Sequence, residues 1–212
     1  MLEELIEVYG DGAVLMVAGG LVGVVFGAMA QHSRFCLRAA TVEVAEGRLG
    51  PRLSIWLIAF SAAVFAVQAS IALGWLDVTE SRQLATTGSL SGAIIGGLMF
   101  GGGMVLARGC ASRLLVLSAT GNLRAIITGL VLTLVAQSAL RGALAPAREG
   151  LATLWVVPGG AARSLLGQMG ITSGLAASVA AVTVIAALVH ARQHAVRTSH
   201  AVAALGVGLA IA

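Results

Sequence analysis

A chain of 212 residues that is 58 % hydrophobic and only 10 % charged is too apolar for a soluble domain, in which about a quarter of the residues carry charge. Its apolar runs are too long and too little alternating for barrel strands, so its backbone must satisfy its own polar groups as membrane helices. The formal charge is +4 and all 13 basic residues are arginine, a side chain suited to forked recognition of oxyanions. The expected fold is an all-α membrane protein: one transmembrane domain over residues 1–212, a polytopic helical bundle with an internal repeat and short re-entrant or interfacial helices.

Residues 1–11 hold Glu3, Glu4, Glu7 and Asp11; they lack the basic start of a signal peptide and read as a short amphipathic surface helix. Ala13 to Gln31 is the first run long enough to span a bilayer. Gly19, Gly23 and Gly27 form one stripe along it, a docking face for another helix. The polar stretch from Gln31 to Arg38 holds the first cysteine, and Thr41 to Pro51 reads as an exposed connection. Leu53 to Leu76 is the second span, with Trp56 and Trp75 near its ends as interfacial anchors. A polar loop from Asp77 to Thr87 follows.

Gly88 to Ala107 is the third span. Its Gly101-Gly102-Gly103 triplet, at about 1 kcal/mol per glycine relative to alanine, predicts a break or very tight packing. Cys110 to Thr120 is too short to span and predicts a re-entrant or interfacial piece, closed by Gly121 and Asn122. Ala125 to Leu144 is a fourth span, residues 146–170 form a loop with Pro146 and Pro158, and Ile171 to Val189 is a fifth. After the basic string from His190 to His200, Ala201 to Ala212 reads as a span cut short. The chain is therefore expected to be a fragment or a half-size protein.

One motif occurs twice. Gly23, Phe26, Gly27, Arg34 and Cys36 recur as Gly97, Phe100, Gly101, Arg108 and Cys110, each 74 positions on (97−23, 110−36). The repeat units run approximately over 13–76 and 88–145. A free cysteine is often only a small buried hydrophobe, and two cysteines do not by themselves indicate a structural disulfide. Here the only two sit at equivalent points beside arginine, a register that argues for use of the thiols. Residues two apart diverge on a regular helix, so Arg34 and Cys36 meet one ligand together only across a helix break. A hard guanidinium next to a soft thiol suits an anion with a soft sulfur end, and thiosulfate is such an ion.

The stretches GLVGVVFGAMAQHSRFCLRAA and GGLMFGGGMVLARGCASRLLVLSATGNLRA resemble the two signature segments of the YeeE/YedE family of bacterial thiosulfate uptake proteins, within a resemblance over roughly residues 13–145. It implies an inner-membrane, multi-pass permease for thiosulfate or a related small sulfur-containing anion. In that family, cysteines along a narrow central path pass the ion inward through S–H···S hydrogen bonds. Matched residue by residue, the implied substrate contacts are Cys36 and Cys110, with Arg34, Arg38, Arg108, Arg113 and Asn122. No catalytic residue, cofactor or metal ligand is implied. Full-length members carry a second, related half, so the resemblance implies a missing remainder, a second half-size chain or a homodimer. A cytoplasmic sulfur-carrier or rhodanese-like protein is the expected recipient, and the bilayer the other partner; nucleic acid is not.

Two other readings compete. One is a membrane-bound sulfurtransferase whose cysteine forms a persulfide, although no general acid accompanies it. The other is a structural or redox-sensing subunit whose cysteines form a disulfide. His32 is a proton-relay candidate or simply an interfacial residue. His190 and His194 stand one turn apart without a third metal ligand, and the basic face around them suits anionic headgroups. Gln68 and Gln137 are expected to join helices. If the five long runs alternate, nine arginines fall on one side and four on the other, which places the acidic N-terminus outside.

Overall fold

In hydrocarbon a chain can pair its backbone groups only along itself, so each long apolar run becomes a helix. A computed structural model describes residues 10–76, 87–159, 169–170 and 172–212; the expected surface helix over residues 1–11 falls almost wholly outside them. The first three helices are α1 (Asp11–Ser33), α2 (Leu37–Ala45) and α3 (Pro51–Ala72). A two-residue strand β1 (Gly88–Ser89) leads into α4 (Leu90–Leu106), followed by α5 (Ala111–Ala119), α6 (Leu123–Arg141) and α7 (Ala145–Ala152). Strand β2 (Val156–Val157), α8 (Ser173–Gln193) and α9 (Thr198–Ile211) complete the described elements. Five segments are long and apolar enough to cross a membrane, and the chain is an all-α, multi-pass membrane protein.

Local signals set the helix starts. Pro51 begins α3 at a position whose N–H would have no partner. Ser89, Asn122 and Thr172 cap α4, α6 and α8 by accepting from the amides of Gly92, Ala125 and Leu175. The loop expected over 146–170 contains α7 and β2. Gly88 pairs with Val157 and Ser89 with Val156 in antiparallel register, and Ser91 Oγ donates to the carbonyl of Leu151 at 2.8 Å.

Two expectations about the chain's course are corrected. The glycine triplet neither breaks α4, which continues to Leu106, nor packs tightly, since nothing among the described residues stands within 4 Å of a Cβ on Gly101, Gly102 or Gly103. An amide left unpaired in lipid costs several kcal/mol, more than the roughly 1 kcal/mol of each glycine, so the helix runs through all three glycines and ends only at Leu106, before the left-handed Arg108. Thr41 to Pro51 is mostly exposed, as expected, but its first part is helix rather than connection. α2 extends through Ala45, and Glu43, whose side chain is 12 % exposed, accepts from the amide of Leu53 at 2.9 Å. That bond holds α2 against the start of α3.

The core forms around α3. Ile55, Ile58, Ala187, Ala191 and Ala204 make one cluster, with Phe35 and Val196 packed on it. Ala30, Ala59 and Val207 make a second, joined by Phe26, Met29 and Val116. Ser54 Oγ and His190 Nδ1 lie 2.9 Å apart and tie α3 to α8.

Glycine-mediated packing occurs, but not where the stripes suggest. A Cβ on Gly208 would meet the carbonyl of Ala59 and stand 2.7 Å from the Cβ of Ala62, so α9 lies closely against α3. Nothing stands within 4 Å of a Cβ built on Gly19, Gly23, Gly27, Gly97 or Gly101. The expected docking of another helix on the Gly19, Gly23 and Gly27 stripe does not occur among the described residues. α1 joins the core through Phe26, Met29 and Ala30 instead, where larger side chains bury more apolar surface than glycine can.

Candidate functional site

α1 and α4 end in the same way. Arg34 and Arg108 are left-handed, with φ of 55° and 56°, a conformation that strains a side-chain-bearing residue by about 1 kcal/mol or more. The amide of Phe35 donates to Ala30 O and that of Gly109 to Met104 O, each at 3.2 Å. These bonds span five residues and stop the helix while satisfying its last carbonyls. The chain then extends through Cys36 (φ −160°, ψ 112°) and Cys110 (φ −79°, ψ 164°), which are the N-caps of α2 and α5. The Arg-x-Cys motif thus spans a helix break at both sites.

The two breaks meet. The sulfurs of Cys36 and Cys110 are 3.8 Å apart, sharing an S–H···S hydrogen bond, and Cys110 Sγ lies 3.2 Å from Ser112 Oγ. Both cysteines are free; Cys110 is buried and Cys36 half-buried. Cys36 and Cys110 are the N-cap residues of α2 and α5, so the first amides of each helix follow its thiol directly in the chain. Neither helix has a side-chain capping bond, so the positive ends of two helices converge on one pair of thiols. Such N-termini hold anions well.

The arginines surround this point unevenly. Arg34 and Arg108 are exposed, and Arg38 and Arg113 are half-buried in the first turns of α2 and α5. Arg38 Nε is closed to solvent and has no hydrogen-bond partner among the described residues. The ion pairs of the described residues are Arg48 with Glu46, Arg52 with Glu43 and Arg148 with Glu149, so no carboxylate there neutralises Arg34, Arg38, Arg108 or Arg113. Asn122 is apart from the thiols by the length of α5, roughly 13 Å. Its Oδ1 accepts from the amide of Ala125 at 3.1 Å and caps α6.

Between α1 and α5 lies a cleft of about 370 Å³, lined by Gly23, Phe26, Gly27, Gln31, Ser112 and Thr120 among others. The side chains missing from Gly23 and Gly27 open it, and Ser112 joins it to Cys110. Sequence reasoning missed Ser112 and Gln31. The available signal was a polar residue within two positions of Cys110 in an apolar segment, and another at the end of the first span. A larger groove of about 670 Å³ between α3 and α8, where Gln68 lies, shares no lining residue with the cleft.

The histidines divide into two pairs. His190 and His194 stack at 4.2 Å, with His190 Nδ1 engaged by Ser54 and His194 Nδ1 by the carbonyl of His190. The His32 and His200 rings meet edge to face at 5.5 Å. Desolvation, followed by the charges of His32, Arg34 and Arg197, holds His200 below the ordinary imidazole value.

A family model described as sulphur transport matches residues 32–209, most of the chain. No curated protein matches it.

Proposed function

The chain belongs to the sulphur-transport family, the YeeE/YedE proteins, and on that premise we propose that it is an inner-membrane permease for thiosulfate or a closely related sulfur anion. The observation that carries this reading is the 3.8 Å approach of Cys36 and Cys110 at two convergent helix N-termini. A dianion entering an apolar bundle loses its water, a cost of several kcal/mol per charge unless donors replace it. Helix amides and the guanidiniums of Arg38 and Arg113 meet the oxygens; Arg34 and Arg108 draw the ion in. The terminal sulfur accepts from the thiols, which are weak donors. Weak contacts suit transport, since an ion that binds must also leave.

The cleft between α1 and α5 is the approach to the thiols, with Ser112 orienting Cys110. Asn122 holds the far end of α5 by starting α6. No bond to sulfur forms or breaks, so no persulfide accumulates and the protein acts as a carrier, not an enzyme. The bare glycine faces of α1 and α4 leave room for a second copy or a related half to complete the walls, and a cytoplasmic sulfur carrier takes the ion onward.

Labelled thiosulfate uptake by proteoliposomes tests this. Wild type is expected to accumulate label above empty liposomes, and Cys110→Ala to lose most of that uptake at equal protein content. Uptake by Cys110→Ala near the wild-type rate would defeat the thiol-relay reading, as would a persulfide mass shift on Cys110 during turnover.

A further inference from the structure

A third helix break of the same form carries no cysteine. After α8 ends, Ala195 is left-handed at φ 53°, and the chain re-enters a helix with Arg197 (φ −59°, ψ 139°) as the N-cap of α9. The amide of Val196 donates to Ala191 O at 3.0 Å, the same five-residue span as Phe35 to Ala30 and Gly109 to Met104. Aligned on their left-handed residues, the three turns place Arg197 where Cys36 and Cys110 stand, 87 positions after the latter (197−110).

This third turn adjoins the first. Phe35 and Val196, the middle residues of the two turns, pack on the same cluster of Ile55, Ile58 and Ala204. His32 and Arg34 from the end of α1 therefore share a corner with Arg197 and His200 from the start of α9, the two rings being in contact at 5.5 Å. Among the described residues no carboxylate lies within ion-pair reach of either arginine, and α9 has no side-chain cap. Cations gathered without a described counter-charge repel one another, and His200, held below the ordinary imidazole value first by desolvation, is lowered further by the charges of His32, Arg34 and Arg197.

We infer that His32, Arg34, Arg197 and His200 form a receiving site for a free tetrahedral sulfur oxyanion, distinct from the thiol pair and next to Cys36. The Arg197 fork and the first amides of α9 take the anion's oxygens, and Arg34, two residues from Cys36, is shared between this corner and the thiols. The ion's identity rests on the transport reading; its binding does not. A lipid phosphate has the same chemistry, but the corner abuts the turn that carries Cys36, which favours the transported ion.

Thermal melting of the purified protein, titrated with sodium thiosulfate or sodium sulfate against chloride at constant ionic strength, reads binding directly. Both dianions should stabilise wild type, and Arg197→Gln should raise the half-saturating concentration about tenfold. Arg197→Lys, which keeps the charge without the fork, should fall between them, and His200→Gln should weaken binding less. Arg192→Gln, an exposed arginine of α8 outside the corner, should behave as wild type. Equal weakening by Arg192→Gln and Arg197→Gln would overturn the site, as would unchanged binding in Arg197→Lys and His200→Gln if Arg197→Gln does not fold. Repeating the titration in nanodiscs containing phosphatidylglycerol separates the sources: loss of the dianion effect there assigns the corner to headgroups and also overturns the inference. Arg197-dependent binding in a protein that fails to take up thiosulfate would leave the site standing and remove the transport reading.

Discussion

The sulfurs of Cys36 and Cys110 lie 3.8 Å apart although 74 residues separate them in the chain. A disulfide holds its sulfurs at about 2.05 Å, so these thiols are in hydrogen-bond contact and unbonded. Each is held by a left-handed arginine before it and a short helix after it. The contact therefore depends on two backbone breaks rather than on flexible side chains.

Oxidation should convert that contact into a lock. Diamide accepts two electrons and two protons from the thiol pair, leaving an intramolecular disulfide and a reduced hydrazine. Intact mass should fall by two hydrogens, uptake should stop, and dithiothreitol should restore both. Cys36→Ala should lose the mass change. Normal uptake by fully oxidised protein would place the thiols off the path.

Ser112→Ala removes the hydroxyl 3.2 Å from Cys110, a bond worth about 1 kcal/mol. Uptake should fall several-fold, short of the loss expected for Cys110→Ala, with melting temperature near wild type. An unchanged uptake rate would show that Ser112 does not orient the thiol.

Gly23→Leu separates two roles for the glycine stripe. The sequence pattern alone predicts that leucine forces packed helices apart. With nothing within 4 Å of a Cβ there and the residue lining the cleft beside Ser112, leucine should instead fill the cleft. The variant should fold and melt like wild type, helped by about 1 kcal/mol of helix propensity, yet transport little. Loss of folded protein would restore the packing role.

Gly208 should behave in the opposite way. Even Gly208→Ala drives a methyl into the carbonyl of Ala59, and overpacking of this kind destabilises by about 1–3 kcal/mol. Melting in detergent should drop accordingly, whereas Gly97→Ala, with open space around it, should not. A neutral Gly208→Ala would mean that α9 does not lie against α3 at this point.

The sequence by itself determined the membrane class, the five long helices, the short α5 and the helix break within each Arg-x-Cys motif. These follow from run length, composition and local turn chemistry, which act within a few residues. The 74-residue register also made Cys36 and Cys110 equivalent in position. Equivalence is not contact: that the sulfurs touch depends on how the starts of α2 and α5 are brought together, with Val116 of α5 packed on the cluster of Ala30 and Ala59, a matter of packing across long separations. Tertiary structure alone decided which glycines are contact surfaces, leaving Gly23 and Gly27 beside a cleft and pressing Gly208 on Ala59. It alone revealed the turn at Ala195, because a left-handed backbone can recur without the Arg-x-Cys pattern by which the first two turns are recognised. Periodicity reports which residues share a helix face; only the packed bundle reports what that face meets.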